Sequence, residues 1–178
     1  MLVVNDAMVL IHLAKISLLE KSCRHFKEVL IPELVFAEAV STGKEKGYAD
    51  SFLIERLVKE KWIKVKGVSK KQLVKNANNF NIFGGEAEAV ALYWQENAGL
   101  LVSDDDNVRS KKAVLGLNLI GTPSIILALF KVKAIDSGKT AEALNKLRKI
   151  GWFGSQVLDK ILLEVEKNGE SKGNRDKA

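Results

Sequence analysis

Cysteine is nearly absent from this chain of 178 residues. The single Cys23 has no partner for an internal disulfide, and with only His12 and His25 for company it cannot build a zinc site. Any metal the chain holds would therefore be held by oxygen. Long apolar runs are missing too, and none approaches the roughly 20 residues needed to cross a bilayer. The apolar stretch near the N-terminus is broken by Asp6 and His12 and has no cationic leader, so no signal peptide and no membrane association are expected, and the location expected is cytoplasmic. Phosphate-binding glycine loops are absent: "FGGE" at Phe83 to Glu86 has neither Walker nor Gly-x-Gly-x-x-Gly spacing. No Ser-His-Asp or Cys-His arrangement is evident, which speaks against nucleophilic catalysis by a side chain.

What is present is the composition of a soluble globular chain, 47% hydrophobic and 28% charged. The length suits one domain with a core large enough to need no staples. A net charge of +6 and an isoelectric point near 9.3 favour a polyanionic partner. Apolar patterning predicts alternating elements and no internal repeats. "LVV" is a first strand followed by the helix "AMVLIHLAK". "EVLIP" is a second strand, with Pro32 placed for the first turn of the helix "ELVFAEAV". Residues 48 to 61 make an amphipathic helix with Phe52, Ile54, Leu57 and Val58 inside, and "WIKVK" alternates as an edge strand. A lysine- and asparagine-rich connection leads to the helix "GGEAEAVALYWQEN", the strand "LLVSD", the helix "NVRSKKAVL", the strand "LNLIG" and the helix "TPSIILALFK", with Thr122 as cap. Two further amphipathic helices cover 140 to 150 and 155 to 167. The domain expected is 1 to 167, and 168 to 178 has almost no apolar content and should be disordered.

Strands separated by helices imply right-handed crossovers and a mainly parallel sheet with helices on both faces. Ligands bind such sheets outside the carboxyl ends of the strands, where the chain order reverses. Asp6 follows the first strand and Asp104 and Asp105 follow the fourth, so all three are expected at that edge. Glu86 stands in the first turn of a helix opening there. Glu38 shares a helical stripe with Leu34 and Val35, which puts a carboxylate on an apolar face. Plainer readings exist: Asp6 and one of the triple aspartates as caps, Glu86 as a charge favoured by the helix dipole, and Glu88 as a solvated residue. Glu38 resists such a reading, because an unpaired buried carboxylate is costly. One account covers all of them: a site for a hard divalent cation, Mg2+ or Mn2+, which takes carboxylates from different elements and leaves room for phosphate oxygens. A cation would also let Asp104, Asp105 and Asp106 stay ionised together.

The stretches "VVNDAMVLIHLAK", "VLIPELVFAEAV", "FGGEAEAVALYWQENAGLLVSDDDNVR" and "LGLNLIGTPSIILALFK" resemble, in order, the PIN-domain family, and in particular its branch of predicted nucleases related to the toxins of toxin–antitoxin pairs. The resemblance covers roughly residues 2 to 167. It implies a three-layer α/β/α sandwich with a mainly parallel central sheet and a metal-dependent ribonuclease using Mg2+ or Mn2+. Position by position it implies Asp6, Glu38, Glu86 and Asp105 as catalytic and metal-binding acids, with Asp104 as the competing register of the last. Ser103 and Arg109 match a hydroxyl and a basic residue that flank that acid. One departure stands out: the family usually has Ser or Thr within two residues after the first acid, where this chain has Ala7 and Met8.

Three functions are thus in view. The first is an endoribonuclease acting on RNA, with an antitoxin protein as a further partner. The second is a PIN-like nucleic-acid-binding module that cleaves weakly or not at all. The third is a phosphoacceptor or nucleotide-binding domain, disfavoured because only Asp6 follows the first strand. Arg109 and Lys112 are the basic residues expected on substrate, ahead of Lys59, Lys61, Lys64, Lys66, Lys70, Lys71 and Lys75. Trp62 reads as core and His12 as a satisfied interior histidine. Monomer and homodimer are both open.

Overall fold

The computed structural model describes residues 1–151 and 153–173. Strand β1 (Leu2–Asn5) leads into α1 (Ala7–Lys15), followed by α2 (Leu19–Phe26), β2 (Glu28–Ile31) and one long turn sequence made of α3 (Glu33–Phe36), a π-helical turn (Ala37–Thr42) and α4 (Gly43–Glu45). Then come α5 (Ala49–Lys59), β3 (Ile63–Val65), α6 (Lys71–Asn78), α7 (Gly84–Gln95), β4 (Leu100–Val102) and α8 (Asp106–Ser110). The chain ends with β5 (Leu119–Ile120), α9 (Thr122–Lys131), α10 (Ser137–Ile150) and α11 (Ser155–Gly173). Residues 168–173, in the segment expected to be disordered, continue α11, and 174–178 lie outside the described residues.

All strand pairings are parallel, in the order β3-β2-β1-β4-β5. The strands are short and almost wholly apolar because helices cover both faces. Val3, Val29, Ile31, Leu100 and Val102 face one core, shared with α1, α2, α5, α9, α10 and α11. Val4, Leu30 and Leu101 face the other, shared with α6, α7 and α8. This is the three-layer α/β/α sandwich. The edges β3 and β5 are kept short, and exposed Lys64 and Lys66 discourage pairing beyond β3. Chain order reverses between β1 and β4, so a crevice opens at their carboxyl ends.

Several local expectations need correction. Helices α2 and α6 have no counterpart in the sequence reading. Each spans eight residues and is fixed by a few buried contacts, Leu19, Cys23 and Phe26 in α2 and Ala77 in α6, since isolated helices of that length are unstable. Phe52 is 53% exposed under the Lys44 ammonium, because the buried stripe of α5 runs through Ser51, Ile54 and Leu57. Trp62 is also exposed, with the Arg24 guanidinium 5.6 Å from its ring centre. Gly121, not Thr122, is the N-cap of α9, and the Thr122 hydroxyl has a different partner, described next.

Candidate active site

The first acid is placed by the junction of the two central strands. The Asp6 amide donates to the Val102 carbonyl at 3.0 Å, which ties the end of β1 to β4. Asp6 is the N-cap of α1: its Oδ1 accepts from the Val9 amide at 2.8 Å. The Ser103 hydroxyl also reaches this carboxylate, and the Asp104 amide donates to Oδ2 at 3.3 Å. Asp6 is thus the helix cap that the plainer reading expected, and it also lines the cleft described below.

Beyond β4 the aspartates separate in role. Asp104 is gripped by three donors: the Thr122 amide on Oδ1 at 2.7 Å, the Thr122 hydroxyl on Oδ2 at 2.5 Å, and His12 Nδ1 on Oδ2 at 2.9 Å. Asp105 caps α8, its Oδ1 accepting from the Val108 amide at 2.7 Å, and its amide donates to Ser103 Oγ at 3.2 Å. Among the described residues its Oδ2 accepts no such bond. Asp106 is out in solvent, with Arg109 Nε 3.6 Å away. The neighbouring acids thus divide into a braced carboxylate, a half-free one and a solvated one.

The same cleft is lined by a second pair. Glu38 lies in the π-helical turn, and Leu34, half of the apolar stripe expected to bury it, is itself 44% exposed. It stands open to solvent instead of buried. Its carboxylate nests over Gly85, where a Cβ would come within 2.9 Å of Oε1. Glu86 is beside it at the start of α7. Glu88, expected to be merely solvated, accepts from the Leu34 amide at 3.1 Å and holds α3 against α7.

Asp6, Glu38, Glu86, Asp104 and Asp105 all line one cavity of about 430 Å³. Ala7 and Met8 line it as well, so the departure from the family pattern falls on the cleft wall itself. Burial raises the Asp6 carboxyl from 3.8 to about 7, against the pull of the Ser103 hydroxyl and the Val9 amide, and the Asp104 charge adds to the rise. The Glu38 carboxyl is raised first by desolvation and then by Glu86 and Glu88. Both shifts mark sites short of positive charge. Among the described residues no lysine or arginine lines the cavity.

Of the residues expected on substrate, Ser103 is buried and supports Asp6 and Asp105 from behind. Arg109 packs over Gly121, and Lys112 is exposed; neither lines the cavity. Lys59, Lys64 and Lys66 are engaged with Glu55, Glu28 and Glu96 and also lie away from it. Thr122, Gly85 and Gly121 escaped the sequence reading. Gly121 is needed because a Cβ there would fall 2.7 Å from Asp104 Oδ1. Only the Gly-Thr-Pro start of a helix hinted at any of them. His12 is buried as expected, but only one of its ring nitrogens is satisfied.

A hard divalent cation fits this donor set. The acids are oxygen ligands, and among the described residues no lysine or arginine lines the cavity with them. Among the described residues no three His, Cys, Asp or Glu groups are gathered to hold a metal ion by themselves. The acids come in pairs instead, Asp6 beside Asp104 and Glu38 beside Glu86. Magnesium-type ions are commonly bound by one or two carboxylates, with waters and substrate phosphate completing the shell.

A family model described as PIN domain matches residues 2–167. No curated protein and no solved structure gives a significant match. The model spans nearly the whole chain, and its fold is the parallel sandwich found here with acids at the β1/β4 crevice. This chain therefore belongs to the PIN-domain family, whose fold is of the nuclease type and whose members generally use divalent metal ions.

Proposed function

We propose that this PIN domain is a metal-dependent endoribonuclease that hydrolyses RNA phosphodiesters. The observation that carries the reading is the cleft at the strand switch point, where six carboxylates, Asp106 included, line one cavity with no lysine or arginine among its described lining residues. Such a cleft repels a phosphate backbone unless a cation intervenes. Asp6, Glu38, Glu86 and Asp105 would hold Mg2+ or Mn2+, with Asp104 as an additional ligand beside Asp6. Bound there, the ion supplies the positive charge against which water can attack a phosphodiester.

The chain's own residues do the rest. Ser103 and the Val9 amide fix the Asp6 carboxylate so that its position costs nothing to establish on binding. The α8 cap fixes Asp105 while leaving Oδ2 open. Gly85 lets Glu38 lie close to α7, and both acid pairs line one cavity. The basic excess of the chain, +6 overall, lies outside the cleft and serves to gather RNA. A role as the toxin of a toxin–antitoxin pair, with a cognate antitoxin protein, is supported by the family branch the sequence resembles.

The apolar Ala7 and Met8 on the cleft wall favour a second reading, a binding module with weak cleavage. One assay decides between the two: purified protein with structured and unstructured RNA, with Mn2+, Mg2+ or chelator, beside an Asp6→Asn, Asp105→Asn double variant. The nuclease reading expects cleavage that needs metal and falls at least about a hundredfold in the variant. Inert protein that still binds Mn2+ in calorimetry supports the binding module.

A further inference from the structure

His12 lies on α1 and is 4% exposed at the cleft. Its Nδ1 meets Asp104 across 92 residues of sequence. Asp104 already accepts from the amide and hydroxyl of Thr122, the pattern of an ionised carboxylate, so the proton of this bond sits on Nδ1. Three donors take three of the roughly four lone-pair directions a carboxylate offers. The carboxylate is thereby fixed in one orientation, with one direction left over.

The ring is held from its far side as well. Phe153 meets it edge to face at 5.2 Å between centres, and a Cβ on Gly151 would stand 3.2 Å from Nε2. Among the described residues Nε2 has no hydrogen-bond partner there. An imidazole in this place supplies Asp104 with a donor that an apolar side chain would lack. Its value lies at the other end of the ring, on Asp104.

We propose that His12 is a positioning residue of this site: it holds the Asp104 carboxylate beside Asp6 for cation binding. The inference rests on the metal-binding reading of the cleft. Three variants test it in the full chain at pH 8, by Mn2+ calorimetry with a thermal melt for each. Asparagine places its amide nitrogen where Nδ1 stands, glutamine where Nε2 stands, and leucine supplies neither. His12→Asn should bind Mn2+ within about threefold of the unmodified chain, while His12→Gln and His12→Leu should bind about tenfold more weakly. If His12→Leu fails to fold, the asparagine and glutamine variants, both polar amides, carry the comparison. Equal affinity in the unmodified chain and in His12→Gln overturns the assignment of His12 alone. No Mn2+ binding by the unmodified chain overturns the metal reading and this inference with it.

Discussion

Asp6 ties pH, stability and metal together. Its carboxyl, raised by burial to about 7, holds a proton more tightly in the folded chain than in the unfolded one between 3.8 and that value. Its contribution to stability is therefore full below about pH 4 and is lost as pH rises through 7. In chelator, melts from pH 4 to 8 should show a decline of at most roughly 4 kcal/mol that Asp6→Asn removes. Saturating Mn2+ should flatten the decline, because the ion replaces the proton. A decline that persists unchanged in Asp6→Asn assigns it to another group. The two site glycines give a contrast at the same scale. A Cβ at Gly85 meets the end of the flexible Glu38 side chain, so Gly85→Ala should weaken Mn2+ binding while shifting stability by under about 1 kcal/mol. At Gly121 the Cβ meets a carboxylate pinned by three donors, so Gly121→Ala should lose about 1–3 kcal/mol in denaturant melts as well as affinity.

Helix ends and irregular turns, more than regular helix, present the chemistry. Asp6 and Asp105 each cap a helix with one oxygen, and Glu38 comes from a π-helical turn. Asparagine caps as well as aspartate does, so Asp105→Asn should keep the melting point and lose activity, whereas Asp105→Ala should lose both, with about 1 kcal/mol of stability. Asp136, which caps α10 away from the cleft, is the control: Asp136→Ala should cost about 1 kcal/mol and leave Mn2+ affinity unchanged. The acids were legible in sequence because strand ends and first turns carry local signals. The environment of Glu38 was not, because the stripe expected to bury it includes Leu34, which the packing leaves exposed. Helices α2 and α6 were missed for another reason: each is only eight residues long, too short to stand without tertiary burial.

For the whole molecule, α11 closes the larger core through Leu158, Ile161 and Val165, and the corner before it carries Phe153 to His12. Leu158, fully buried, reports on that closure: Leu158→Ala should cost about 2–5 kcal/mol by chemical denaturation. If RNA is gathered by the basic surface, its affinity should fall log-linearly with salt, and a salt-independent affinity would count against that surface.

The sequence by itself determined the parallel α/β class, the family and the acids of the crevice, because strand patterning and strand ends are local properties that topology rules convert into one edge. Only the tertiary structure decided how Asp104, Asp105 and Asp106 divide their roles, that Arg109 and Lys112 stand outside the cleft, and that His12 and Thr122 meet on one carboxylate. Those contacts join residues far apart in the chain, and their geometry depends on how β1, β4 and α9 pack, which no local pattern encodes.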